Sequence, residues 1–129
     1  AEAEKLTFKL AQEEFDSEFM FITDYAATKR PFYHMRDENG KLQGYDLIWR
    51  GTEITSGAQR EHRYDELLKN AKEKGLGEDV KFYLQFFKYG CPPHGGFAIG
   101  IDRLTMLLLG ISSLKESQCI FRGPSRLEP

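Results

Sequence analysis

The chain has 129 residues, of which 40% are hydrophobic and 13% aromatic, which is enough for one packed domain and too few for two. Eighteen Lys and Arg against twenty Asp and Glu give a formal net charge of -2, so no global basic field points to nucleic acid, and any contact with nucleic acid would have to be local. Cys91 and Cys119 form no CxxC pattern and the three histidines are scattered, so we expect no zinc cluster and a reducing, cytoplasmic location.

The first half of the chain predicts one helix followed by strands. The opening AEAEKLTFKLAQEEF is an acidic amphipathic helix rather than a signal peptide. No apolar run approaches membrane-spanning length, so we expect no membrane partner. Asn39 and Gly40 predict a turn that joins two segments in an antiparallel hairpin. The predicted strand segments are EFMFITDY, PFYHMRD, LQGYDLIWRG and EITSGAQ.

The second half predicts helices and one more strand. Apolar residues recur at helical spacing between residues 62 and 75, which indicates a surface helix. A second helix, EDVKFYLQFFKYG, is followed by prolines and a glycine-rich strand. The strand leads into RLTMLLLG, which we expect to be a buried helix closed by Gly110. Consecutive strands and grouped helices predict an α+β fold, an antiparallel sheet flanked by helices.

The segment PPHGGFAIGIDRLTMLLLG has the features of a nucleotide site. Gly95, Gly96 and Gly100 leave the strand without side chains, so a flat ring can lie against the backbone. Arg103 lies in the first helical turn, where unpaired N–H groups already favour phosphate. The alternative interpretation is a glycine-rich turn before a core helix, with Arg103 in an ion pair.

The segment RGTEITSGAQREHR places a carboxylate, a hydroxyl and a guanidinium in one short stretch. Strand alternation puts Glu53 and Ser56 on opposite faces unless the chain bulges between them, which Gly57 permits. With a bulge, these two and Arg60 converge. The oxygen donors suit Mg²⁺ and the guanidinium fork matches a carboxylate. A solvated strand end followed by a helix cap is the alternative.

Together these segments resemble class II aminoacyl-tRNA synthetases. PPHGGFAIGIDRLTMLLLG looks like motif 3 of that class, and ITSGAQR is similar to the stretch characteristic of aspartyl-tRNA synthetases of the archaeal and eukaryotic type. The resemblance runs from FITDY to the C-terminal RLEP. It implies that residues 1–129 form the C-terminal portion of the catalytic domain, without motifs 1 and 2 and without the anticodon-binding domain.

The resemblance implies that ATP and Mg²⁺ bind to this chain. Arg103 would be the catalytic residue that contacts the ATP phosphates, and Gly100 would line the adenosine pocket. Glu53 and Ser56 would hold the Mg²⁺ that bridges the phosphates, which also makes Glu53 part of the ATP site.

The resemblance also implies the amino acid. Arg60 would read the side-chain carboxylate of aspartate, and His94 would assist. Asparaginyl enzymes usually have a glycine-glycine-serine-like variant where this chain has residues 55–58, so aspartate is preferred. A lone histidine in a proline-glycine loop also fits a purely local hydrogen-bonding role.

The activity implied is that of an aspartate–tRNA ligase, which forms aspartyl-adenylate and transfers aspartate to the acceptor end of tRNA. The parent enzyme would be a homodimer, and the chain alone would have little activity. One alternative is an asparaginyl-tRNA synthetase or a synthetase-like asparagine synthetase. Another is a catalytically inactive module that binds a partner, for which the divergent ending CIFRGPSRLEP is the supporting feature.

Overall fold

The computed structural model describes residues 2–128 and shows an α+β fold. Four strands form one antiparallel sheet in the order β1-β2-β3-β4. The fold class predicted from the sequence is therefore confirmed. Within the described residues, no helix has both the length and the apolar character needed to cross a membrane. The helices and strands are α1 (Glu2–Phe15), β1 (Phe19–Ile22), β2 (Gly44–Trp49), β3 (Thr52–Arg60), α2 (Tyr64–Glu73), α3 (Lys81–Lys88), β4 (His94–Ile99) and α4 (Ile101–Leu109).

The chain divides into two compact units. Among the described residues, the first unit contains 2–21, 46–55 and 98–128, and the second contains 22–45 and 56–97. Each unit therefore combines segments that are distant in sequence.

The core of the second unit lies between α2 and α3. Leu67 and Ala71 of α2 are fully buried and pack with Leu84 and Phe87 of α3. These are positions that the helical apolar pattern selects, because residues three and four apart share one face of a helix. Partly buried aromatic residues, including Tyr83, pack around this cluster.

Trp49, at the end of β2, is a buried residue of the first unit. Its ring stacks on Phe19 with centroids 5.3 Å apart, and its indole N–H donates to the Glu18 carboxylate at 3.2 Å. Glu18 also accepts from Arg50 Nε at 2.8 Å. These two hydrogen bonds and the charge of Arg50 lower the pKa of Glu18 below its ordinary value.

The predicted turn at Asn39–Gly40 is present, but the strand before it is shorter than expected. Asp37 accepts hydrogen bonds from the backbone N–H groups of Asn39 and Lys41, and Gly40 has a φ of 78°. The segment PFYHMRD contributes isolated antiparallel bridges, Arg36 with Leu42 and His34 with Arg60, rather than a continuous strand.

Strand β3 holds one more residue than a regular hairpin with β2 would allow. The turn between the strands is Arg50–Gly51. An unbroken ladder from this turn would set Gly44 opposite Gly57, yet the Cβ position of Gly44 lies 3.6 Å from the Cβ of Ala58. An extra residue in one strand is a β-bulge, in agreement with the bulge predicted for this stretch. The convergence of Glu53 with Ser56 stays a prediction.

The prediction that RLTMLLLG forms a buried helix is wrong in its second part. The helix α4 forms and ends at Gly110, whose φ of 66° suits glycine. However, α4 contains no buried residue, and Leu108 and Leu109 are 67% and 68% exposed. Within the first unit α4 packs on the short turn Leu114–Ser117. An apolar sequence predicts that the helix forms, but whether the helix is buried depends on which other elements pack against it.

Candidate functional site

The first unit brings Glu53 and Arg103 together. Arg103 Nη1 donates to the backbone oxygen of Glu53 at 2.7 Å and lies 3.5 Å from its carboxylate Oε1. The side chains are 46% and 33% exposed for Arg103 and Glu53, so solvent screening keeps the ion pair weak, at about 1 kcal/mol or less. The ion pair of the alternative interpretation therefore forms. It engages Nη1 and leaves the rest of the guanidinium fork for an anion.

Gly100 connects this pair to the sheet. It precedes α4, and its N–H donates to the carbonyl of Ile54 in β3 at 2.8 Å. A Cβ added at Gly100 would lie 3.4 Å from Cδ of Arg103, an ordinary contact. The backbone of β3 and the arginine side chain are thus held side by side.

The second unit places Ser56 beside an arginine that the sequence analysis did not select. Arg30 Nη1 donates to Ser56 Oγ at 3.3 Å, and the guanidinium carbon lies 3.7 Å from the centroid of the Tyr25 ring. A hydroxyl next to a guanidinium fits the binding of phosphate oxygens. Arg30 begins the segment RPFYHMRD, which resembles an RPFYTM stretch of aspartyl-tRNA synthetases, and this resemblance is a sequence signal that could have selected it.

Arg60 ends β3 at an aromatic cleft in the second unit. The cleft has a volume of about 320 Å³ and is lined by Phe32, Tyr33, Arg60, Val80 and Tyr83. Arg60 is exposed, and its guanidinium carbon lies 5.8 Å from the centroid of the Tyr33 ring. Burial raises the pKa of the Tyr83 phenol, although the charge of Arg60 opposes this shift. A cation at the edge of a small aromatic cleft is suited to a compact anion.

His94 makes local contacts at the start of β4. Its Nδ1 lies 3.0 Å from the carbonyl oxygen of Pro92 and 3.6 Å from Cys91 Sγ. Its backbone oxygen accepts a hydrogen bond from Gln59 Nε2 at 2.9 Å. These contacts fit a local hydrogen-bonding role, and a contribution of His94 to aspartate binding stays a prediction.

The predicted residues therefore fall into two groups. Glu53, Gly100 and Arg103 lie together in the first unit, whereas Ser56, Arg60 and His94 belong to the second. That all of them face one hollow stays a prediction.

This chain is similar to known tRNA synthetases, and three of them show how close the similarity is. It is 48% identical over 129 residues to the aspartate–tRNA(Asp/Asn) ligase of Thermus thermophilus, covering 99% of this chain and 31% of that protein. The solved aspartyl-tRNA synthetase of Entamoeba histolytica matches with a TM-score of 0.91 and 38% identity, over 98% of this chain and 27% of that one. The asparaginyl-tRNA synthetase of Pyrococcus horikoshii matches with a TM-score of 0.82 and 34% identity, over 95% and 30%.

The chain spans less than a third of the length of the curated relatives it matches. A family comparison covers nearly all of it, because residues 1–120 match the tRNA synthetases of class II (D, K and N). The motif 3 resemblance, the antiparallel sheet and these similarities agree, and the chain belongs to the class II tRNA synthetase family that comprises the D, K and N enzymes.

Proposed function

We propose that this chain is the C-terminal portion of the catalytic domain of an aspartate–tRNA ligase and binds aspartate and ATP. The observation that carries the proposal is the exposed guanidinium of Arg60 at a cleft of about 320 Å³. The aspartate–tRNA ligases that match the chain at 41% to 50% identity support the same substrate.

Arg60 would select the amino acid. A guanidinium can donate two parallel hydrogen bonds to a carboxylate, whereas the NH₂ group of an amide side chain would face it with donors. A neutral amide leaves the positive charge without a counter-charge and accepts through one oxygen only. The cleft therefore favours aspartate over asparagine.

Arg103 and Glu53 would bind the nucleotide. The guanidinium of Arg103 lies in the first turn of α4, where it would neutralise the charge that develops on the leaving pyrophosphate. Gly100 would lie against the adenosine. Mg²⁺ would supply charge neutralisation at the phosphates, and Glu53 and Ser56 would be its protein ligands, since Mg²⁺ takes hard oxygen donors and needs few of them from the protein.

In the reaction we propose, the α-carboxylate of aspartate attacks the α-phosphorus of ATP. The bond to the pyrophosphate oxygen breaks, and aspartyl-adenylate and pyrophosphate are formed. The terminal adenosine of tRNA then accepts the aspartyl group and AMP leaves. We further propose that the enzyme is a homodimer that contacts the acceptor end of tRNA and acts in the cytoplasm, where the cysteines Cys91 and Cys119 are free thiols.

A second candidate is asparagine activation, which the similarity to the asparaginyl enzyme of Pyrococcus horikoshii supports. That similarity covers 95% of this chain at 34% identity, so the fold does not separate the two substrates. We propose that Arg60 favours aspartate, because a guanidinium can pair with both oxygens of a carboxylate but with only the one oxygen of an amide.

Replacing Arg60 tests the proposal. In the protein that carries this chain, Arg60→Leu should raise the KM for aspartate about 100-fold, since a charge-assisted bidentate pair is lost, with less than about threefold change in the KM for ATP. The measurement is amino-acid-dependent ATP–pyrophosphate exchange. The matched control is Arg126→Leu, at an exposed arginine whose side chain donates, within residues 2–128, to the nearby backbone oxygen of Glu128 at 3.3 Å. Equal losses toward aspartate and ATP in the Arg60 variant would contradict the assignment.

A further inference from the structure

The guanidinium of Arg60 lies directly on the backbone of Gly96 in the neighbouring strand β4. An ideal Cβ built on Gly96 would be 2.8 Å from Nη2 of Arg60 and 3.1 Å from both Cζ and Nε. Contacts shorter than 3.0 Å are essentially never seen for real Cβ atoms, so no side chain fits there while Arg60 keeps this position. The absence of a side chain at residue 96 is what allows the guanidinium to occupy its place.

Gly57 in β3 is a second strand glycine at which an added Cβ would lie under 3.0 Å from another atom, but the atoms concerned are of a different kind. A Cβ at Gly57 would meet Cζ and the hydroxyl oxygen of Tyr45 at 2.7 Å and also the Cβ of Phe97 at 2.9 Å, an atom bonded directly to the backbone. The three nearest atoms to a Cβ at Gly96 all belong to the far end of a long, exposed side chain, that of Arg60. A methyl group at 96 would therefore move the guanidinium and leave the backbone in place.

We propose that Gly96 is a positioning residue for amino-acid recognition, because it fixes the guanidinium of Arg60 against β4 and so sets its place at the aromatic cleft. The inference rests on the proposed function of Arg60 as the reader of the aspartate side chain. Bidentate recognition depends on the distance and the plane of the fork. A displacement of about 1 Å in such a group can reduce the reaction rate by up to about 100-fold.

Gly96→Ala should therefore impair aspartate recognition selectively. We expect the KM for aspartate in pyrophosphate exchange to rise about tenfold, with the KM for ATP unchanged, because only the guanidinium moves. The control is Lys69→Ala, at an exposed side chain whose nearest carboxylate, on Glu66, is 3.8 Å away. A merely structural weakening would change both Michaelis constants or the melting temperature.

A double-mutant cycle shows whether Gly96 acts through Arg60. In the Arg60→Leu background no guanidinium remains to be displaced, so adding Gly96→Ala should produce no further rise in the KM for aspartate. Full additivity of the two substitutions, or no effect of Gly96→Ala alone, would overturn the inference while the function of Arg60 stands. If Arg60→Leu itself spares aspartate recognition, the proposed function fails, and with it the role of Gly96.

A third variant keeps the test decisive if Gly96→Ala fails to fold. Alanine at position 60 has no atom beyond Cβ to meet the new methyl group, so the combination of Arg60→Ala with Gly96→Ala should fold and melt like Arg60→Ala alone. If this double variant also fails to fold, the methyl group clashes with the sheet and not with the guanidinium, and the inference is wrong.

Discussion

At the scale of single residues, the most constrained charge outside the candidate site is Glu61, directly after β3. Its side chain is only 2% exposed. Both carboxylate oxygens are engaged by Arg63, which donates from its backbone N–H and from Nε and Nη2 at 2.8 to 3.0 Å. Burial by itself raises the pKa of Glu61, but these hydrogen bonds and the charges of Arg63 and His62 outweigh it, so the pKa is lowered. Glu61 is thus ionised and bound in the folded chain.

Removing the partner of Glu61 should cost stability in a pH-dependent way. Arg63→Met should lower the free energy of unfolding at pH 7 by about 1–3 kcal/mol, since a buried acceptor loses its donors. The lowered pKa means that the unfolded chain binds the proton more tightly, so the stabilisation is complete above the ordinary value of 4.5 and lost as the pH falls through the lower folded-state value. The loss caused by the substitution should therefore shrink below pH 4.5.

Urea unfolding of the chain at several pH values measures this difference. Lys69→Met is a suitable control, because Lys69 is exposed and its nearest carboxylate, on Glu66, is 3.8 Å away. A destabilisation by Arg63→Met that is the same at pH 7 and well below pH 4.5 would show that Glu61 does not contribute as a carboxylate.

At the scale of secondary-structure elements, the turn between β2 and β3 determines where Glu53 lies. Arg50 and Gly51 both have positive φ, 46° and 74°, as a type I′ hairpin turn requires. A Cβ at Gly51 would meet its nearest neighbour at 3.7 Å, an ordinary contact. A side chain at residue 51 would therefore cost free energy through the left-handed backbone conformation and not through contact with neighbouring atoms.

Gly51→Ala should lower the free energy of unfolding by about 1–2 kcal/mol, which is the cost of the left-handed conformation for a residue with a Cβ. Gly51→Asn is the control, because asparagine tolerates the left-handed conformation better than alanine does. Denaturant unfolding of both variants measures the contrast. Equal stability of the two variants would mean that the turn does not hold the conformation described.

The sequence predicted most elements, because helices and strands follow local periodicity. It did not predict the turn at Arg50–Gly51, since arginine is not a typical residue for the first turn position. Arg50 is held there by the Glu18 carboxylate at 2.8 Å and by the Trp49 ring at 5.1 Å. The first of these contacts is non-local and cannot be read from a hairpin pattern. The exposure of α4 is a similar case, because burial depends on what else packs nearby.

At the scale of the whole molecule, the sequence suggested the residue types of the candidate site but not the residues that they contact. The contact of Arg103 with Glu53 joins residues 50 positions apart, and the family resemblance suggested both without showing that they touch. The contacts of Arg60 with Gly96 and of Ser56 with Arg30 were not predicted. Each arises from the pairing of segments distant in sequence, which periodicity does not determine.

The central claim is that a member of the class II D, K and N family uses this chain to activate aspartate. The most direct measurement compares aspartate-dependent with asparagine-dependent ATP–pyrophosphate exchange in the protein that carries the chain. We expect kcat/KM for aspartate to exceed that for asparagine by about 100-fold or more, as for sites that recognise a substrate through a polar group. Exchange that is equal or faster with asparagine, or an absence of ATP–Mg²⁺ binding in a direct titration, would contradict the account.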